Sequence, residues 1–214
     1  MHLPEFTLLE WYTAGHTYLE MMIQCEQLIR FVAGAAGQTD SIAYRDKRIW
    51  LSSPWDRITV CEAFDKYSRT SMQEALEKNC FDEIMATEIE PFLGNDHPVF
   101  LYDYPASCGA LARLKPDDDS VAERFELYIA GLELCNAFTE LTDPVEQRKR
   151  FEEERRLRRH AGKTEYPMPE SFLNALNDMP LSSGNALGLD RLILLLTDAN
   201  SIDDVVAFIP EELE

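Results

Sequence analysis

The alternation of apolar and polar residues is clearest between residues 124 and 140, R-F-E-L-Y-I-A-G-L-E-L-C-N-A-F-T-E. Two alternating runs, 125–129 and 132–135, flank Ala130-Gly131, a two-residue link suited to a β-hairpin turn. In a regular hairpin the cross-strand partners have numbers summing to 261, so Tyr128 faces Glu133 and Glu126 faces Cys135. Glu126, Tyr128, Glu133 and Cys135 then share one face, and Phe125, Leu127, Ile129, Leu132 and Leu134 share the other. Glu126 and Glu133 become diagonal neighbours, roughly 7–8 Å apart at the backbone. Two carboxylates so spaced, on a sheet whose other face is apolar, suit Mg²⁺ bound to a polyphosphate. The alternative is an amphipathic hairpin whose acidic face lies in water.

The same reading extends along the chain. Residues 4–12, P-E-F-T-L-L-E-W-Y, alternate as a strand. Tyr18, Met21, Met22, Cys25, Leu28, Ile29 and Val32 form a helical stripe over 17–32, ended by Gly34 and Gly37. A small hairpin over 42–51 turns near Asp46-Lys47, with Tyr44 and Trp50 as packing residues. Short helices follow at 61–67, 70–79 and 81–92, then a strand over 99–104. The acidic run 117–119 lacks the spaced D-x-D-x-D frame of a calcium loop and reads as a solvated loop. Asp143-Pro144 starts a long helix through His160, whose many Arg residues alternate with Glu152, Glu153 and Glu154 as a salt-bridged solvent face. A glycine-punctuated run, 183–191, then enters an apolar stretch at 192–196. Hairpins and helices without regular βαβ alternation predict an α+β domain on an antiparallel sheet flanked by helices. Residues 1–214 read as a single domain, with 35–95 as a helical and hairpin insertion within it.

Composition narrows the chemistry. With 214 residues, 45% hydrophobic and 28% charged, the chain suits a soluble globular protein. Its net charge of −19 argues against a nucleic-acid-coating surface and is compatible with a basic protein partner or a small cationic substrate. The five cysteines are scattered and form no C-x-x-C pair, which fits reduced thiols. No apolar run approaches the ~20 residues of a membrane span, and no signal peptide opens the sequence, so the expected location is cytoplasmic.

Three separated stretches together resemble the class II lysyl-tRNA synthetase family. P-E-F-T-L-L-E-W-Y (4–12) is similar to the second half of its motif 2, G-L-E-L-C-N-A-F-T-E-L-T-D (131–143) to its metal- and lysine-binding strand, and G-N-A-L-G-L-D-R-L (184–192) to its motif 3. Within that superfamily the phrases Y-P-A-S (104–107), V-A-E-R-F-E (121–126), E-L-T-D (140–143) and A-L-G-L-D-R (186–191) resemble the ligases that attach lysine to elongation factor P.

The resemblance implies a class II synthetase catalytic core that binds ATP and Mg²⁺ and activates lysine or a lysine isomer as an adenylate. The implied acceptor is a lysine of elongation factor P, with tRNA as the lesser alternative. A binding-only paralogue is the non-catalytic alternative. It also implies roles residue by residue. Phe6 would stack on adenine, and Arg191 would stack opposite it or hold the γ-phosphate. His2 would contact phosphate. Glu126 and Glu133 would hold Mg²⁺ on ATP. Glu10, Tyr12, Asn136, Phe138 and Glu140 would line the lysine pocket. Motif 1 and the first half of motif 2 have no match here, so the implied partners include an N-terminal half or a second copy in a homodimer. Strict alternation conflicts with one part of this assignment. It turns Asn136, Phe138 and Glu140 away from the two glutamates, so the strand must bulge or twist near 135–136 if all of them serve one site.

Overall fold

A computed structural model of the chain describes residues 4–109 and 111–209. Its centre is the predicted hairpin, longer than its apolar runs suggest: β7 (Asp118–Ile129) and β8 (Leu132–Thr139). Ala130 and Gly131 form the link, both at positive φ (56° and 77°), the twist that two-residue hairpin turns require. Around the hairpin are β1 (Leu8–Ala14), β9 (Ser182–Gly188), β5 (Val99–Pro105), β4 (Asp56–Thr59) and the short β6 (Leu114–Lys115). The order is β1-β9-β8-β7-β5-β4, with β6 on β7; only β4 and β5 run parallel. The domain is α+β and mostly antiparallel, as the sequence predicts.

Each face of the sheet has its own apolar cluster. On one face lies α1 (Tyr18–Ala35), whose stripe Met21, Met22, Cys25 and Ile29 packs with Phe100, Phe125, Leu127, Cys135, Ala137 and Leu187. The Glu20 carboxylate caps this helix by accepting the Thr17 N–H at 2.8 Å. The hairpin of β2 (Ser41–Tyr44) and β3 (Lys47–Trp50) and the helix α7 (Leu189–Thr197) join the same cluster. On the opposite face α2 (Val60–Tyr67), α3 (Met72–Glu77) and α4 (Phe81–Ile84) cover only Val99, Leu101, Tyr104 and Tyr128. Fully burying side chains of this size stabilises the fold by about 1.5–3 kcal/mol each. Because these helices sit over β4, β5 and the end of β7, the same face of β8, β9 and β1 stays open as a groove.

Several expectations need correction. The first strand begins at Leu8, not Pro4, and runs on to Ala14. The β2–β3 turn is at Arg45-Asp46, both at positive φ, and Trp50 is exposed while Tyr44 is buried. Pro116-Asp117 is the tip of the β6–β7 hairpin, and Asp118 already belongs to β7. The long helix is found where expected, as α5 (Pro144–His160), capped by Asp143 and laced by Arg156–Glu153 and Arg158–Glu154 pairs, and α6 (Glu170–Ala175) follows it.

The hairpin tip is held from the side by the turn after α4. The Ala130 N–H donates to the Gly94 carbonyl (2.7 Å) and the Gly131 N–H to the Leu93 carbonyl (2.8 Å). A Cβ at Gly94 would lie 2.4 Å from the Tyr128 carbonyl oxygen and 2.9 Å from the Ile129 Cα, at a φ of +71°. Both obstacles are backbone, so Gly94→Ala is expected to cost about 2–4 kcal/mol of stability, read as a fall in the urea midpoint with unchanged slope. A midpoint within error of the parent would contradict this packing.

Candidate active site

The conflict left by strict alternation is resolved by a β-bulge. Ile129 pairs with Leu132 and Tyr128 with Glu133, as a regular hairpin requires, but Leu127 pairs with Cys135. One residue of β8 is therefore unpaired, and every later partner sums to 262: Glu126 lies opposite Asn136, and Arg124 opposite Phe138. Leu134 and Cys135, consecutive in sequence, are both buried in the α1 cluster. Cys135 is thus corrected from the glutamate face to the core. Glu126, Tyr128, Glu133, Asn136 and Phe138 come to a single face, with the bulge one position earlier than expected.

The neighbouring strands complete the groove. Glu10 pairs with Ala186, which pairs with Asn136; Tyr12 pairs with Gly184, which pairs with Phe138. The groove face of β9 is therefore Gly184, Ala186 and Gly188, a floor of small residues between the larger side chains of β1 and β8. Above Gly184 two side chains converge. A Cβ there would lie 2.4 Å from Glu140 Oε1 and 2.7 Å from Tyr12 Cε1. Burial alone raises the Glu140 carboxyl to about 7, and Glu140 with Glu10 also helps hold the Tyr12 hydroxyl in its neutral form.

At the other end, Phe6, Glu133, Asn136, Ala186, Gly188 and Arg191 line a cavity of about 210 Å³. Phe6 is 63% exposed. Its approach is set by Asp190, whose carboxylate accepts the Thr7 N–H at 2.8 Å while the Leu189 N–H donates to the Thr7 carbonyl. Arg191 donates to the Glu133 backbone carbonyl and lies 3.3 Å from its carboxylate. His2 lies outside the described residues.

Negative charge dominates the groove: Glu10, Glu90, Glu126, Glu133 and Glu140 stand against Arg124 and Arg191. Burial first, then the charge of Glu126, raises the Glu133 carboxyl, and Arg191 offsets part of that. Glu90 is raised in the same way, by burial and then by Glu126 and Glu133. A cation brought beside Glu90 and Glu133 would relieve both. Among the described residues no three His, Cys, Asp or Glu side chains form a metal cage. Glu126 and Glu133 fit Mg²⁺, which accepts one or two carboxylates when water and phosphate oxygens supply its other ligands.

The sequence profile of tRNA synthetases class II (D, K and N) matches residues 1–212. The chain belongs to this family. It is 37% identical to the lysine–tRNA ligase of Moorella thermoacetica, over 97% of this chain and 46% of that protein. It is 38% identical to the elongation factor P–(R)-β-lysine ligase of Edwardsiella ictaluri and 37% to that of an Enterobacter species, in each case over 97% of this chain and 66% of the relative. The chain thus spans about half to two-thirds of the length of these relatives.

In this class II synthetase domain four further residues shape the groove. Arg124 follows from the alternation that places Glu126 and Tyr128, since it lies two residues before Glu126 on the same face. Tyr128 donates its hydroxyl to Glu126 Oε2 at 2.7 Å. Asp190 stands within the motif 3 run, but its grip on Thr7 is a long-range contact that spacing does not show. Glu90 has no local signal; it arrives through the helical turns after α4 that pack against the hairpin. Among the described residues no helix is long and apolar enough to cross a membrane.

Proposed function

We propose that this chain is the lysine-activating part of an ATP-dependent ligase, forming an aminoacyl-adenylate for transfer to a lysine of elongation factor P. The observation that carries this reading is the convergence of Glu140 and Tyr12 over Gly184, beside the Glu126–Glu133 face and the Phe6–Arg191 cavity. Glu140 is a desolvated carboxylate with no cation beside it among the described residues, which makes it a receptor for an ammonium group. Glu140 takes the side-chain amine, Glu10 and Tyr12 define the pocket wall, and Asn136 and Phe138 orient the substrate between that pocket and the nucleotide. Phe6 offers a ring face to adenine, and Arg191 the positive charge at the phosphate end. Mg²⁺ held by Glu126 and Glu133 would supply charge neutralisation on the polyphosphate.

The reaction is attack of the amino-acid carboxylate on the α-phosphorus of ATP, with pyrophosphate leaving. The aminoacyl group then passes to an amine, and AMP leaves. No protein nucleophile is needed, because alignment and charge stabilisation carry the rate. The elongation factor P acceptor is favoured over tRNA by the Y-P-A-S, V-A-E-R-F-E and A-L-G-L-D-R phrases.

ATP–pyrophosphate exchange dependent on lysine or β-lysine is the expected result, followed by transfer of label to elongation factor P rather than to tRNA. Absence of exchange with either amino acid would overturn the catalytic reading. A binding-only protein of the same lineage is the second reading. It is favoured by the engagement of Arg191 with Glu133 and of Arg124 with Glu126, which leaves both guanidiniums committed to carboxylates. Calorimetric binding of ATP·Mg²⁺ and lysine without adenylate in the mixture would select it.

A further inference from the structure

Arg124 is tied to both halves of the groove. Its Nη2 donates to Glu126 Oε1 at 2.6 Å and its Nε to Asn136 Oδ1 at 3.2 Å, while Asn136 Nδ2 donates to the same Glu126 oxygen at 3.3 Å. The three side chains close a triangle across the β7–β8 pair. Behind it, Nη1 donates to the Cys108 carbonyl at 2.6 Å, and the guanidinium lies over the Tyr104 ring, 4.4 Å from its centroid. All three nitrogens are engaged, and the side chain is only 16% exposed. An arginine anchored on a backbone carbonyl and an aromatic shelf does not swing out to follow a phosphate. It is a fixed pivot.

We propose that Arg124 is a positioning residue that couples the amino-acid pocket to the metal-carrying carboxylate. The inference rests on the lysine-and-nucleotide reading of the groove. The side chain sets the rotamer of Asn136 through Nε and holds Glu126 through the charge at Nη2. Any movement of Glu126 toward a nucleotide-bound cation is therefore felt at the Asn136 amide, and the converse also holds, since coupling between two ligands is reciprocal. Lysine at this position keeps the charge beside Glu126 but has no planar fork to reach Asn136 as well.

The test is calorimetry on the full chain, measuring lysine affinity with and without a non-hydrolysable ATP analogue and Mg²⁺. For the parent chain the analogue is expected to tighten lysine binding. Arg124→Gln is expected to weaken lysine binding about tenfold, a typical loss for a charge-assisted contact, and to abolish the effect of the analogue. Arg124→Lys is expected to bind the analogue with Mg²⁺ normally yet keep the weakened lysine affinity and the lost coupling. This variant carries the test by itself if the glutamine variant fails to fold. Parental lysine affinity and parental coupling in Arg124→Lys would overturn the proposal. A parent chain that binds neither ligand would instead overturn the functional reading on which it stands.

Discussion

Gly184→Ala is expected to abolish lysine-dependent exchange, or lower it by at least about 10²-fold, while leaving the melting temperature within a few degrees of the parent. Both halves follow from what the added methyl meets. Its nearest neighbours are Glu140 Oε1 at 2.4 Å and two Tyr12 ring atoms at 2.7 and 3.0 Å, all far ends of side chains rather than backbone. Side-chain ends swing aside at small cost, and Gly184 does not have the positive φ that penalises alanine. The fold therefore survives, but the two groups proposed to grip the substrate are pushed out of place. Misplacement by about 1 Å is enough to cost 10²-fold in an aligned reaction. The contrast with Gly94, where the obstacles are backbone, separates a glycine kept for the groove from one kept for the fold. Parental exchange by Gly184→Ala would remove Glu140 and Tyr12 from the site.

Glu140→Gln is expected to change affinity and pH dependence together. Burial raises the Glu140 carboxyl from 4.5 to about 7, so between these values the folded chain holds a proton that the unfolded chain has released. The folded state then binds more protons, and stability rises as pH falls from about 7 toward 4.5 and is lost as pH rises through 7. Lysine binding runs the opposite way. The ammonium needs the carboxylate, so affinity rises between about pH 6 and 8 as the proton no longer has to be expelled. Glutamine removes the charge, and lysine affinity is expected to fall about 10²-fold and to lose its slope across that range. At pH 8 the variant should melt a few degrees higher than the parent, because a half-buried charge with no ion-pair partner among the described residues has gone. Calorimetric titrations and melts at pH 6, 7 and 8 check all three statements. A parental pH slope in the variant would place the titration elsewhere.

Much of this site is legible in the sequence, and the illegible remainder has definite physical causes. Alternation alone puts Glu126, Tyr128 and Glu133 on one face, and the same rule carries Arg124 with them. It fails at Cys135, because Leu134 and Cys135 are both apolar and a bulged pair looks no different from two alternating residues. The turn at Arg45-Asp46 sits one residue earlier than expected, since neither residue is a strong turn former at positive φ. Trp50 has an apolar side chain but a solvent-facing position in a two-stranded ribbon. Glu90 enters the site only through tertiary packing. Local pattern therefore identified β1, β5 and the two hairpins but not β4, β6 or β9, whose short or glycine-rich runs carry little alternation, and contacts between distant segments, such as Asp190 with Thr7, required the fold.

The unpaired residue of β8 also bears on how such a chain can vary in length. Glu133 lies on one side of it, and Asn136, Phe138 and Glu140 on the other, so the two parts of the groove are held in phase by a single extra residue. Straightening the strand without losing a residue would turn the three downstream side chains into the core, whereas removing one residue between Glu133 and Asn136 would take out the bulge and leave them on the groove face. Bulge and extra residue therefore have to be kept together or lost together for the two halves of the groove to face the same way. Within this span a related chain one residue shorter can present the same groove on a regular strand, provided that the bulge is gone as well.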